Sequence, residues 1–140
     1  MDLTPKYIKM CEKAEEIQKE WKPTEGDVVF VKIKNKICWV FQSTMDDVKN
    51  KEVVILTDGS IIEKNLCVWL VRQDQLQEMI ITSKYCDRNY ALLTELADFH
   101  YHHGKCNWSM EQLCLAFVMH EKYGKVWDNE KEEWRDEEKY

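Results

Sequence analysis

Around residues 69–73 the hydrophobic rhythm of this chain changes. Upstream, apolar residues mostly alternate with polar ones, the period of half-buried strands; downstream they recur every three to four residues, the period of helix faces. A chain with this switch folds as a small β unit followed by a helical unit. We expect a single α+β domain over residues 1–140: an N-terminal helix (3–22), a β unit (26–71), a helical unit of about three helices (74–124) and an acidic tail (125–140).

Thr4 can cap the first helix with Pro5 at its first position. Leu3, Tyr7, Met10, Ala14, Ile17 and Trp21 then form one stripe, Lys9, Glu12, Lys13, Glu16, Lys19 and Glu20 form a charged face, and Pro23 ends the helix. Such a stripe packs a core, or could serve as a homodimer seam, although it is too short to specify a coiled coil.

Gly26 and Asp27 open the β region. Val29, Val31 and Ile33 share one face of a first strand; Asn35 and Lys36 can make a two-residue turn; Ile37, Trp39 and Phe41 continue the alternation. Residues 43–51 read as a polar loop. Asp58-Gly59 between two apolar runs is a strong hairpin signal, because the pair tolerates the positive φ of a tight turn. With a last strand over 67–71, five short strands in so little chain suggest a strongly bent antiparallel sheet or SH3-like barrel.

In the helical unit, Asp74 and Gln77 suggest a capping box, Asp87 a second cap, and Leu92, Leu96, Phe99 and His103 an inner helix face stopped by Gly104. Ser109 with Gln112 opens the last helix, residues 113–119 are apolar nearly all round, and Gly124 closes it.

Of the six tryptophans, Trp21, Trp39 and Trp69 sit in patterned segments and are expected in the core, whereas Trp127 and Trp134 lie in the polar tail and are candidate partner-binding anchors. Residues 128–140 of that tail supply −4 of the formal net charge of −6. An acidic balance makes nucleic acid a poor default partner. Lys32, Lys34 and Lys36 beside Phe30, Trp39 and Phe41 are the exception, a basic edge that could bind a single strand or simply protect an exposed sheet edge.

The six cysteines show no C-x-x-C spacing, and the first ten residues are charged and polar rather than signal-like. Reduced thiols in a cytoplasm are the expectation, with no membrane association. The segment His100, Tyr101, His102, His103, Gly104, Lys105, Cys106 offers metal donors. His100 and His103 share a helix face, Cys106 follows the glycine, and His120 or Cys114 would have to arrive from the next helix to complete a tetrahedral set. The competing explanation is a polar helix end, where histidine favours the negative pole of the dipole. No activated nucleophile, acid/base pair or glycine-rich phosphate loop is visible, so neither a catalytic role nor a cofactor is expected.

The run Trp69, Leu70, Val71, Arg72, Gln73, Asp74, Gln75, Leu76, Gln77, Glu78, Met79 resembles a segment of small proteins encoded by phages and prophages of Gram-positive bacteria. So does the run from Ser109 through Met110, Glu111, Gln112, Leu113 and on to His120, Glu121, Lys122, Tyr123, Gly124 and Lys125, followed by Trp127. The two runs cover about a fifth of the chain. In that family proline often stands at the position of Val71 and tryptophan at that of Cys114; neither departure removes a group the reading uses. The family has no assigned activity or catalytic residues to carry over. The resemblance implies a phage or prophage product acting in the bacterial host cytoplasm. The expected function is therefore non-enzymatic binding of a host or phage protein, with inhibition of a host defence system as its specific form. The alternatives are a nucleic-acid-binding module built on the β unit, and a small-molecule or metal-binding protein centred on His100, His103 and Cys106.

Overall fold

The first helix starts where Thr4 and Pro5 place it. The Tyr7 amide donates to the Thr4 hydroxyl at 3.3 Å and the Ile8 amide to the Thr4 carbonyl at 3.0 Å. It does not run to residue 22. In the computed structural model, which describes residues 1–48, 50–84, 88–105 and 107–137, α1 spans Pro5–Lys13 and α2 spans Glu15–Glu20. Between them Ala14 leaves the helical region at φ −80°, ψ 67°. The apolar spacing survives this one-residue break: Tyr7, Met10, Ala14, Ile17 and Trp21 are all buried. These five residues are thus covered within the chain itself, while Leu3, the first of the stripe, is exposed.

The chain forms two compact units, Ala14–Leu70 and Met1–Lys13 with Val71–Tyr140. The first is built on β1 (Val28–Val31), β2 (Lys36–Asp46), β3 (Lys51–Leu56), β4 (Ile61–Glu63) and β5 (Cys67–Leu70). All pairings are antiparallel, in the order β4-β3-β2-β1-β5. The order does not close, so the sheet is open and the SH3-like barrel is not formed. Its two outer strands are short, and the amide of Gln18 covers the β5 edge. That side chain accepts from the Trp69 amide and donates to the Trp69 carbonyl, both at 2.9 Å. Trp21 stacks on Trp69, ring centroids 6.0 Å apart, and gives its indole N–H to the buried carboxylate of Asp27 at 2.9 Å. That bond and the Thr24 amide, also 2.9 Å away, make the buried acid tolerable.

Two turns differ from expectation. The β1–β2 connection takes residues 32–35, with Asn35 in the left-handed region at φ 50°, rather than the pair Asn35 and Lys36. β2 also runs on to Asp46, so most of the expected 43–51 loop is strand. The Asp58-Gly59 turn forms as read, with Gly59 at φ 88°.

The second unit contains α1, α3 (Gln73–Lys84), α4 (Arg88–His103) and α5 (Met110–Tyr123). The expected Asp74–Gln77 box is replaced by a bond from the Arg72 amide to the Gln75 side chain at 3.0 Å. Asp87 and Leu92 lie outside the residues whose side chains are described. Ser109 caps α5 as expected, accepting from the Gln112 amide at 3.1 Å. Gly124 closes it in the left-handed conformation, φ 65°. Residues 114–119 are buried, as an all-round apolar helix requires. The acidic segment after Gly124 takes regular structure up to Asp136. It is a β-hairpin of β6 (Lys125–Asp128) and β7 (Glu133–Asp136). Among the described residues no helix is long and apolar enough to cross a membrane.

Candidate functional site

Among the described residues the β unit carries an exposed tryptophan and phenylalanine close together on β2. Cys38 and Val40 on β2 point into the dry face of the sheet, so Trp39 and Phe41, one residue out of phase, point the other way. They are 47 and 56 % exposed, which corrects the expectation that Trp39 belongs to the core. The register shifts between Val40 and Gln42, a bulge that places an extra residue, Phe41, on the strand. Beyond it Gln42 pairs with Ile55, and Ile55 with Ile61, itself 66 % exposed.

The basic edge beside this face is largely neutralised. Lys36 Nζ lies 2.8 Å and Lys34 Nζ 3.6 Å from the same Asp58 carboxylate oxygen, and Lys34 also donates to the Ser60 hydroxyl. Hydrogen bonding from Lys36, then from Ser60, holds the Asp58 carboxyl well below the usual carboxylate range. Lys32 is exposed. Two of the three lysines proposed for nucleic acid thus already face an anion.

In the second unit Trp127 and Trp134 are cross-strand partners on the hairpin, edge to face with centroids 5.1 Å apart. Trp134 donates its indole N–H to the Met10 carbonyl at 3.0 Å, which ties the hairpin to α1. Trp127 donates to Asn129 at 3.1 Å and borders two clefts, of about 340 and 450 Å³.

The histidines do not assemble as the sequence suggested. His100 is exposed and Cys106 lies outside the described residues. His103, at the end of α4, instead meets His120 of α5 with ring centroids 4.8 Å apart. Phe99, one turn before His103, packs on both imidazoles at 5.1 and 5.3 Å. Gly104 makes this helix end possible, because a Cβ there would stand 2.7 Å from the His100 carbonyl oxygen. The third member is Glu137. The hairpin returns the chain so that the Glu137 amide donates to the Gly124 carbonyl at 2.9 Å, and its carboxylate reaches His120 Nε2 at 2.6 Å and His103 Nε2 at 4.0 Å. Among the described residues these three are the group of His, Cys, Asp or Glu side chains able to hold a metal ion, with one donor atom from each within 4.8 Å of the others.

The described thiols are poor nucleophiles. Cys11, Cys38, Cys67 and Cys114 are buried and none is in a disulfide. Burial pushes Cys11 up to about 12 and Cys67 and Cys114 up to about 11, so each stays protonated near neutrality.

Compared with known proteins, the chain matches no family model, no curated protein and no solved structure.

Of the site residues only Glu137 escaped the sequence reading, which placed Trp39 and Phe41 beside the basic edge but also assigned Trp39 to the core. Trp39 and Phe41 follow the same alternation as core residues. Glu137 needed the hairpin, whose only sequence signal is Val126 and Trp127 facing Trp134 across a polar turn.

Proposed function

We propose that this chain is a non-enzymatic accessory protein of phage or prophage origin that works by binding one protein partner, a component of a host defence system, through the outward face of its sheet. The observation that carries this reading is the exposure of Trp39, Phe41 and Ile61 on that face. Exposed apolar side chains grouped on one face mark interaction surfaces. Tryptophan is the residue most often found to dominate binding energy once a partner excludes water from it. The mechanism is occlusion: the partner's apolar groove covers the two aromatics. The acids of the hairpin turn, Asp128, Glu130, Glu132 and Glu133, favour approach by a basic protein. The phage origin is supported by the runs at 69–79 and 109–125 described above.

Nucleic acid is the weaker reading, because Asp58 competes with phosphate for Lys34 and Lys36.

The test is capture of a binding protein from a Gram-positive host lysate on the immobilised full chain, beside Trp39→Ala and Phe41→Ala variants whose fold is checked by circular dichroism. A protein retained by the parent chain and lost with both variants supports the reading. Equal retention by the variants, or self-association of the purified chain through this face, overturns it.

A further inference from the structure

We propose that His103, His120 and Glu137 form a binding site for one borderline divalent transition-metal ion, of which Zn²⁺ is the type. This site is independent of the docking surface above and shares no residue with it.

An ordinary ion pair needs one imidazole and one carboxylate. Here a second imidazole converges on the same carboxylate: His120 Nε2 is 2.6 Å and His103 Nε2 4.0 Å from the two oxygens of Glu137. The two rings stand with centroids 4.8 Å apart, so both can turn a ring nitrogen toward a common point beside that carboxylate. A cation at that point satisfies all three groups. Zinc bonds nitrogen and carboxylate oxygen at about 2.0–2.2 Å, which sets tetrahedral donors about 3.4 Å apart. The donor atoms found here lie within 4.8 Å of one another, so closure requires side-chain rotations of about an ångström.

The supporting residues also suit a metal. Phe99 fixes the planes of both imidazoles. His120 Nδ1 is buried without a hydrogen-bond partner, and the Glu121 carboxylate stands 3.7 Å from it, the place of an outer-shell carboxylate that orients a ligating histidine. The donor set excludes the hard ions: Mg²⁺ and Ca²⁺ take oxygen ligands, whereas two imidazoles and a carboxylate select zinc or a similar first-row ion. His103 and Glu137 also line the 340 Å³ cleft, together with Trp108, Trp127 and Arg135. Three protein ligands beside such a cleft leave a fourth position for water or an exogenous ligand. Because Glu137 follows β7 while the histidines come from α4 and α5, the ion would also fasten the hairpin to the helices.

The test is Zn²⁺ binding by the chelator-stripped full chain, measured by metal content after gel filtration and by competition with a chromophoric chelator. Co²⁺ absorption in the visible serves as a geometric readout. We expect one Zn²⁺ per chain. His103→Ala and Glu137→Gln should each lower affinity at least about tenfold and abolish the tetrahedral Co²⁺ bands, and Glu121→Gln should weaken binding while keeping the stoichiometry. The surface controls His100→Ala and His102→Ala should leave both unchanged. Retention well below one ion per chain, or equal losses in the surface controls, overturns the proposal. If His120→Ala fails to fold, the half-exposed His103 and Glu137 still decide the matter.

Discussion

Asp2 and Gln112, 110 positions apart in sequence, are joined by a hydrogen bond of 2.8 Å from the Gln112 amide nitrogen to the Asp2 carboxylate. The same carboxylate accepts from the Ser109 hydroxyl at 2.5 Å and from the Thr4 amide and hydroxyl at 2.9 and 2.6 Å. One aspartate thus joins the cap of α1 to the cap of α5. Burial alone would raise its pKa, but bonds from Ser109, Thr4 and Gln112 outweigh burial and hold the carboxyl below its ordinary value. A group depressed in the folded state contributes stability above its unfolded pKa, near 3.9, and loses that contribution as pH falls through the folded value. Asp2→Asn should therefore cost about 1.5–3 kcal/mol in urea unfolding at pH 7. The gap from the parent chain should shrink below about pH 4. A gap independent of pH would show that the ionised carboxylate is not what matters.

Trp134→Phe keeps a ring opposite Trp127 but removes the bond to the Met10 carbonyl. The expected loss is about 0.5–1.5 kcal/mol, read as a lower melting temperature. Trp127→Phe loses only a bond to exposed Asn129 and should cost less. The reverse order would mean that Trp127, not Trp134, ties down the hairpin.

Glu132 holds φ 54° in the hairpin turn, a conformation that L residues other than asparagine and aspartate seldom adopt. Glycine removes that strain, so Glu132→Gly should stabilise the chain by about 1 kcal/mol, despite loss of the exposed 3.8 Å pair with Lys9. Thermal unfolding checks the sign; destabilisation would show that the turn does not carry the strain.

The β-to-helix switch and the caps at Ser109 and Gly124 were legible because they are local: spacing and capping act within a few residues. What depends on distant pairing was not. Alternation places Cys38 and Trp39 on opposite faces but does not say which face is dry, and both faces of β2 carry apolar residues. Barrel closure depends on which strands pair, and strand patterns do not contain that order. The break at Ala14 is invisible because the stripe continues through it. His103 and His120 were both noticed as donors, but Glu137 joins them only through the return of the hairpin, in a segment whose charge reads as solvated surface.

Asp58→Asn should unmask Lys34 and Lys36. Binding of a single-stranded oligonucleotide, negligible for the parent chain at moderate salt, should then rise at low salt with a steeper salt dependence. Tight binding by the parent chain, weakened by Lys32→Ala, would favour a nucleic-acid role over protein docking.

The central claim is that recognition resides on the outward sheet face, and titration of the captured partner with the Trp39→Ala chain tests it most directly. Removing a central aromatic anchor should cost about 2 kcal/mol or more, a loss of roughly 30-fold in affinity, while Trp127→Ala changes affinity much less. Undiminished affinity for Trp39→Ala would contradict the account.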